Sequence, residues 1–370
     1  LVLFFLPILA QAAPEVFRFD QSNQNQVIVF EDSQAAESQK ATSPITLTFS
    51  FAGDCTLGAT EGMLKRKNGF KTFIDNHSFA YPFEQLTSLF ANDDLTVINL
   101  EGVFSDTSKG ENKKKNFAFR GPTEYVNILL EGSVEAVNIA NNHTQDYGTR
   151  GVTSTLETLD HHQLGYAGNG WLSIFSFEGI KVGLGGTGSN WNSQKCENLK
   201  KEIQLLKEKN CSIIIYSLHA GQEYAYSHNK RQEQLARFLI DQGVDIVIGH
   251  HPHVVQGVEQ YNNGYVFYSL GNCSFGGNSK PKDLRALVAQ VHFTIDLKQK
   301  EKQILPCLHP IHISGTSPHN NYQPVYVQNE NAEEILSLVQ IDSNVSISPY
   351  AEDLGALLPA IDVSLALLTK

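Results

Sequence analysis

The stretch DIVIGHHPHVVQ, residues 245–256, limits the choice of fold more than any other part of this sequence. Residues 246–248 are β-branched and predict a buried strand, and His250, His251 and His253 follow its end. In open α/β sheets, ligands bind at the carboxyl ends of the strands. The pattern therefore predicts an α/β fold with a ligand site at this sheet edge. The alternative is a surface loop that is merely rich in histidine.

Other predicted strands also end in polar residues that can bind a metal. These strands are 45–52, 95–100, 134–140 and 212–218, whose β-branched and apolar residues are typical of strands. The residues at or after their ends are Asp54, Asn99 with Glu101, Asn142 with His143, and His219 with Glu223. If the strands share one sheet, these side chains meet at one edge. The alternative is a set of independent turn residues.

The mixture of carboxylate, amide and imidazole groups indicates the kind of metal. Such ligands suit a divalent Mn, Zn or Fe ion, and because no cysteine is needed, a closed structural zinc site is excluded. A carboxylate that bridges two ions gives a centre about 3.5–4 Å across, which serves phosphoester hydrolysis. A nearby histidine that binds no metal can protonate the leaving group. We therefore expect one or two divalent ions.

The rest of the chain alternates helical and hairpin patterns. Helices are predicted near 84–90, 149–162, 197–210, 230–242 and 332–339, and antiparallel pairs at 172–177 with 181–184, within 257–276, and at 283–300 with 302–314. No internal repeat divides the sequence.

Charge excludes one class of partner. Lys and Arg number 28 against 39 Asp and Glu, which gives a net charge of -11 over 370 residues. Nucleic-acid binding needs a basic face to neutralise phosphates, so we expect no nucleic-acid partner. The lysine run 113–115 is short and is predicted to be a solvated loop.

The first residues predict export. LVLFFLPILA is apolar, and Ala10-Gln11-Ala12 has the A-x-A pattern of a signal-peptidase site. We expect a signal peptide at 1–13, no transmembrane helix after its removal, and a periplasmic or extracellular location at the cell envelope. The alternative for this run is a buried strand or helix. Residues 14–44 are rich in Gln, Ser and Asn and are predicted to be a polar leader with weak structure.

The five cysteines are predicted to be free or buried thiols. Cys196 and Cys211 flank a predicted helix about 20 Å long, and a disulfide needs Cα atoms within about 7 Å, which disfavours that pair. Cys55 and Cys273 each lie beside a strand-end motif, so the two can approach the same site.

Six motifs occur in an order that resembles a known family. GDCTLG, NLEG, NIANNHTQDYG, SLHAGQEY, DIVIGHHPHVVQ and YSLGNCSF resemble the bacterial CapA family of capsule and poly-γ-glutamate synthesis proteins, which is similar to calcineurin-like metallophosphoesterases. The resemblance covers about residues 45–275. It implies an α/β fold of the metallo-dependent phosphatase type, a four-layer α/β/β/α sandwich. We expect this domain at 45–315, with a C-terminal appendage at 316–370.

The resemblance also implies roles for individual residues. It gives Asp54 as the first metal-binding acid, Glu101 as the bridging acid, Asn142 and His219 as further ligands, and His251 with His253 as the final pair, with His250 competing with His251. His143 is implied as the acid that protonates the leaving group, and Asp146, in the turn that follows, is predicted as its catalytic partner.

Two departures from the phosphoesterase pattern keep two functions open. Thr56 stands where a histidine ligand is expected, and Glu101 replaces an aspartate, which makes one ion better supported than two. The main hypothesis is an exported metal-dependent phosphoester hydrolase linked to capsule or poly-γ-glutamate synthesis or export. The alternative is a non-catalytic accessory protein that binds an anionic polymer or a synthase or export partner at the envelope.

Overall fold

The computed structural model describes residues 13–19, 26–28, 43–190 and 192–365. Its strands are β1 (Glu15–Arg18), β2 (Gln26–Ile28), β3 (Ile45–Thr56), β4 (Leu95–Leu100), β5 (Val103–Phe104), β6 (Arg120–Gly121), β7 (Ala136–Asn138), β8 (Gly165–Ala167), β9 (Trp171–Phe177), β10 (Ile180–Gly188), β11 (Cys211–His219), β12 (Ile246–His250), β13 (Val258–Tyr261), β14 (Gly264–Phe267), β15 (Asn272–Phe275), β16 (Arg285–Asp296), β17 (Glu301–His312), β18 (Val325–Tyr326), β19 (Ala356–Leu357) and β20 (Ile361–Ser364). The α-helices are α1 (Glu61–Leu64), α2 (Phe70–Asn76), α3 (Thr87–Phe90), α4 (Val126–Glu131), α5 (Gly148–His161), α6 (Ser193–Glu208), α7 (Lys230–Asp241) and α8 (Asn329–Ile341).

The first of two large sheets has eight strands in the order β13-β14-β12-β11-β10-β9-β1-β2. Its centre is parallel, because β10, β11, β12 and β14 run the same way. Antiparallel pairs extend both sides, β13 with β14 and β9 with β10. Both pairs are hairpins that the sequence predicts, and both are confirmed.

The second large sheet contains ten strands, with the path β18-β17-β16-β3-β4-β7-β8 and β15, β19 and β20 attached to it. Strands β3, β4, β7, β8 and β15 are parallel. The long β16 and β17 pair with each other in the predicted antiparallel way. The predicted strand 134–140 is shorter than expected, because the Asn138 side chain accepts the Ala140 amide and turns the chain out of the sheet.

Apolar side chains fill three layers of core. One cluster draws on both sheets, for example Phe49 and Phe293 from one sheet and Ile215 and Ile248 from the other. The first sheet's remaining face packs against α6 and α7, and the second sheet's against α3, α4 and α5. Burial on both faces explains why the parallel strands read as continuous apolar runs. The chain thus has an α/β fold built on two mixed sheets.

The predicted leader differs from expectation over its described part. Residues 15–18 form β1, which pairs with both β2 and β9, and Val16 and Phe17 are buried. Weak structure is therefore the wrong prediction for these residues. Although the stretch as a whole is polar, Val16 and Phe17 bury apolar side chains in a strand that lies between β9 and β2. The predicted signal peptide comprises residues 1–13, and all of it except residue 13 lies outside the described residues.

The described residues after 315 belong to the body of the fold. Strands β18, β19 and β20 all pair with β17, and α8 places Ile335 and Leu336 in the core shared by both sheets. The predicted appendage at 316–370 is thus, over its described part, paired with β17 and packed into the core. Physically, β17 has an edge that needs partners, and these short strands cover it.

Two further expectations concern cysteines and membranes. All five cysteines are free, and four are buried, whereas Cys196 is half-buried, which confirms the prediction. Among the residues that the structure describes, no helix combines the length and the apolar character needed to cross a bilayer.

Candidate metal centre

The strand ends meet where the carboxyl edges of the two sheets face each other. In the second sheet, Asp54 pairs with Asn99, and Asn99 pairs with Asn138. In the first sheet, His219 pairs with His250. The expectation that these side chains meet at one edge depended on the condition that the strands share one sheet. The strands instead belong to two sheets, and the groups converge because the two sheets pack face to face with their carboxyl edges together.

Three possible metal ligands, the triad Asp54, Glu101 and His253, form the centre of the cluster. One ligand atom from each lies within 4.8 Å of the other two. The His253 Nδ1 atom lies 3.2 Å from Asp54 Oδ2 and 3.9 Å from Glu101 Oε2. These distances are those expected of groups that share one cation.

Glu101 is the least satisfied group in the cluster. It is fully buried, and neither carboxylate oxygen has a hydrogen-bond partner among the described residues. A buried carboxylate without a partner is costly, and burial together with the Asp54 charge raises the pKa of Glu101 to about 8. An unsatisfied carboxylate beside Asp54 and His253 fits a divalent cation.

The charges around the triad favour a positive group at its centre. Burial alone would raise the pKa of Asp54, but the His253 hydrogen bond and the nearby imidazoles hold it below its usual value. Burial alone would lower the pKa of His253, yet the carboxylates of Glu101 and Asp54 raise it to about 10. A proton on His253 therefore supplies the charge that the acids need. A metal ion at this position would compete with that proton.

A second set of ligand groups lies on the other side of the Glu101 carboxylate. His219 Nε2 is 3.9 Å from Glu101 Oε1 and 2.7 Å from Asn142 Oδ1. The ring of His251 lies beside that of His219, with centroids 4.7 Å apart. Burial lowers the pKa of His219 well below its usual value, so its imidazole is neutral, as metal ligation requires. Glu101 thus separates two groups of potential ligands, each facing one of its oxygens.

The loop after β12 is strained where it reaches the cluster. His251 and His253 have φ angles of 99° and 59°, which are uncommon for residues other than glycine. The His251 amide donates to Asp54 Oδ2 over 3.1 Å, and its Nδ1 is buried without a partner. Backbone strain of this kind accumulates at functional sites.

The two candidates for the first histidine of the final pair occupy different places. His250 lies at the strand end with Nδ1 3.5 Å from Asp54 Oδ1, and burial lowers its pKa to about 4. His251 lies on the Glu101 Oε1 side, beside His219. Both imidazoles therefore border the cluster.

His143 and Asp146 form a hydrogen-bonded pair at the rim. His143 Nδ1 lies 2.6 Å from Asp146 Oδ2, and Nε2 lies 3.7 Å from Glu101 Oε1. The ring of Phe119 covers His143, with centroids 4.5 Å apart. The carboxylate fixes the imidazole so that its other nitrogen faces the cluster.

Amide side chains behind the ligands hold them in place. Asn99 donates to Asp54 Oδ1 over 2.7 Å and accepts from Asn138 over 2.7 Å and Asn141 over 3.1 Å. Asn272 Oδ1 lies 2.9 Å from His253 Nδ1. The predicted site lacks Asn138, which ends β7, and Asn272, which begins β15. Asn138 lies inside the predicted strand 134–140, so no strand-end signal marks it in the sequence, whereas the polar pair Gly271-Asn272 after an apolar run could have indicated Asn272.

Two other residues from the sequence analysis differ in their surroundings. Thr56 is fully buried, and its hydroxyl has no partner in the described part of the chain. Glu223 is exposed, yet its charge still acts on Glu101 and His251. The remaining predicted residues, Asp54, Glu101, Asn142, His143, Asp146, His219, His250, His251 and His253, are brought together.

Comparison with known proteins agrees with this geometry. The family model described as bacterial capsule synthesis protein PGA_cap matches residues 48–173 and 176–276, which include the whole cluster. The chain is 28% identical over 298 residues to the capsule biosynthesis protein CapA of Bacillus anthracis, covering 74% of this chain and 69% of that protein. It is 28% identical over 256 residues to the PGA biosynthesis protein CapA of Bacillus subtilis, covering 64% and 65%.

A more distant relative is described as a probable polyglutamine synthesis accessory protein of Mycobacterium tuberculosis, 24% identical over 210 residues, covering 48% of this chain and 55% of that protein. The chain thus spans about two thirds of the length of the Bacillus proteins and about half that of the mycobacterial one. Because the matched segments make up more than half of its residues, this chain belongs to the bacterial capsule synthesis protein family PGA_cap.

Proposed function

We propose that the protein is an exported metal-dependent phosphoester hydrolase that acts in capsule or poly-γ-glutamate synthesis or export. The observation that carries this proposal is Glu101, a buried carboxylate that has no hydrogen-bond partner among the described residues and whose two oxygens face two sets of potential ligands. We also propose that the two packed sheets and their flanking helices form the four-layer α/β/β/α sandwich of metallo-dependent phosphatases. The clusters between the sheets and on their outer faces support that arrangement.

The residues divide into two ligand groups and an acid. Asp54, Glu101 and His253 would hold one ion, and Glu101 with Asn142, His219 and His251 would complete a second position. When bound, such ions supply Lewis-acid stabilisation of the charge that develops on the phosphoryl oxygens. His143, oriented by Asp146, donates a proton from Nε2 to the leaving oxygen. The buried amides of Asn99 and Asn272 keep the ligands from rearranging.

The decisive experiment joins metal content to activity. We expect the purified protein to retain Mn, Zn or Fe and to hydrolyse bis(4-nitrophenyl) phosphate, and we expect His253→Ala to lose both. His161→Ala is the matched control, because His161 is exposed at the end of α5 and far from the ligands in the fold. Absence of bound metal together with equal rates for the wild type and His253→Ala would reject the proposal.

One observation favours a second function, that of a non-catalytic accessory protein. Thr56 is buried, and its hydroxyl has no hydrogen-bond partner among the residues that the structure describes, at the position where the phosphoesterase pattern has a histidine ligand. A protein that has lost a ligand can keep the fold and bind an anionic polymer or a synthase partner. In that case a chelator leaves the melting temperature unchanged, and poly-γ-glutamate binds His253→Ala as well as it binds the wild type. By contrast, metal at 100 times its dissociation constant should stabilise the hydrolase by about 2.7 kcal/mol.

A further inference from the structure

The sequence predicts that the lysine run 113–115 is a solvated loop, but the three side chains are not equally exposed. The Lys113 side chain is 78% exposed and pairs with Glu111, and Lys114 is also exposed. The Lys115 side chain is only 29% exposed, because it turns inward from the loop between β5 and β6 toward the candidate site. One lysine of the run therefore has surroundings that its neighbours lack.

Lys115 joins two segments that matter to the proposed chemistry. Its Nζ atom lies 2.5 Å from the Asn142 carbonyl oxygen and 2.5 Å from Asp146 Oδ1. Two of its three N–H donors are therefore used within the turn that carries a proposed ligand and the proposed acid. Ordering a lysine side chain costs up to about 2 kcal/mol of rotamer entropy, and charge-assisted hydrogen bonds of this kind offset it.

Asp146 is held from three sides. Lys115 binds Oδ1, whereas the Phe119 amide and His143 Nδ1 both lie 2.6 Å from Oδ2. The carboxylate is fully buried, so Lys115 supplies the charge that balances it. Without this cation, the carboxylate would be buried with only uncharged donors and the imidazole, although the Phe119 and Asn112 amides would still tie the turn to the loop.

We infer that Lys115 is a positioning residue that fixes His143 through Asp146 and fixes Asn142 through its carbonyl group. This inference rests on the proposed hydrolase function. It predicts that Lys115 contributes to proton donation, although its Nζ atom contacts neither Glu101 nor His253 by any hydrogen bond that the described residues show. A purely structural lysine would tie the loop down without affecting the proton that His143 delivers.

Rates measured with two different leaving groups distinguish the positioning role of Lys115 from a purely structural role. A phenolate leaving group needs a proton more than a 4-nitrophenolate does, so we compare phenyl and 4-nitrophenyl esters of methylphosphonate. Lys115→Met should lower kcat for the phenyl ester by about 100-fold, in the range of general-acid contributions, and for the 4-nitrophenyl ester by about tenfold or less. Lys115→Arg should restore most of the rate, because it keeps the charge and the donors. The exposed neighbours provide Lys113→Met and Lys114→Met as controls with wild-type rates.

A second readout does not depend on activity. The His143 proton bound to Asp146 should give a low-field imidazole N–H resonance, identified by its absence in His143→Gln. We expect the resonance in the wild type, Lys113→Met and Lys115→Arg, and its loss in Lys115→Met at a temperature where all variants are folded.

The outcomes distinguish this inference from the proposed function. An inactive wild type whose resonance depends on Lys115 would reject the hydrolase and leave the positioning role standing. An active wild type would overturn the inference if Lys115→Met kept the resonance and slowed both esters equally.

Discussion

At the two ends of β12, the chain buries polar groups in opposite ways. Before the strand, Asp245 is buried and lies 2.5 Å from Lys302 Nζ, and its second oxygen accepts the Ile214 amide over 2.9 Å. At the other end of the strand, the Nδ1 atoms of His250 and His251 are buried without hydrogen-bond partners in the described part of the chain. Glu101, which borders that end, also lacks partners for both oxygens.

This difference distinguishes buried polar groups that stabilise the fold from buried polar groups that can bind a ligand. Buried polar atoms in native proteins nearly always find partners. Asp245 finds its partners within the chain, so its role is complete when the protein folds. The unsatisfied atoms after β12 collect in one place, where a cation can satisfy them together. The following predictions test this contrast, from the largest effect to the smallest.

The largest effect is expected from Lys302→Met. This change leaves Asp245 as a buried charge without a cation, which typically costs about 3–5 kcal/mol. Urea unfolding should show this loss, whereas the folded variant should still bind metal. Lys300→Met, in the exposed turn before β17, should change the free energy of unfolding by less than about 0.5 kcal/mol. Equal stability of the two variants would contradict the contrast.

Glu101→Gln should have the opposite pair of effects, a small change in the free energy of unfolding and a large loss of metal affinity. In the metal-free protein, the free energy of unfolding should stay within about 1 kcal/mol of the wild type, because no partner of the carboxylate is lost. Metal affinity measured by calorimetry should fall at least about 100-fold, beyond the range seen for residues that only orient ligands. A large loss of metal-free stability would show that Glu101 is structural.

Asn272→Ala tests the residues that orient the ligands. Its side-chain nitrogen donates to the His253 carbonyl oxygen over 3.4 Å, and loss of a contact that orients a ligand typically costs 10–100-fold in metal affinity. We expect a decrease of about tenfold by calorimetry. Affinity equal to that of the wild type would show that His253 does not need this contact.

The smallest effect concerns pH and a carboxyl group far from the ligands. Burial raises the pKa of Glu135 to about 8, so the folded protein holds this proton more tightly than the unfolded chain does. Its stabilising contribution is present below about pH 4 and is lost as the pH rises toward 8. Glu135→Gln should therefore reduce the fall in unfolding free energy between pH 5 and pH 8. An unchanged slope would contradict this assignment.

Much of the fold follows from local patterns in the sequence. Period-two and apolar runs predicted β3, β4, β11 and β12 within a few residues, and the β9–β10 hairpin is confirmed. These elements depend on neighbours close in sequence, so local chemistry suffices. The four residues of β1 were missed because their strand forms only when β9 offers an edge.

The candidate site likewise contains residues that the sequence indicates and one residue that only the fold reveals. Asp54, Glu101, Asn142, His219 and His253 stand at strand ends, where residue type and position together attract attention. Lys115 was missed because a lysine run usually faces water, and only the fold brings Asp146 within 2.5 Å of it.

By itself, the sequence determined most of the long strands and helices, the family and the residue types that gather at the strand ends, because each follows from periodicity or from motifs read in order. The tertiary structure alone decided that two sheets share the site, that Glu101 has no hydrogen-bond partner among the described residues, and that Lys115 rather than its neighbours turns inward. These properties depend on distances and on the exclusion of water between residues that are far apart in the sequence, such as Asp54 and His253. A local sequence pattern contains no information about such distances.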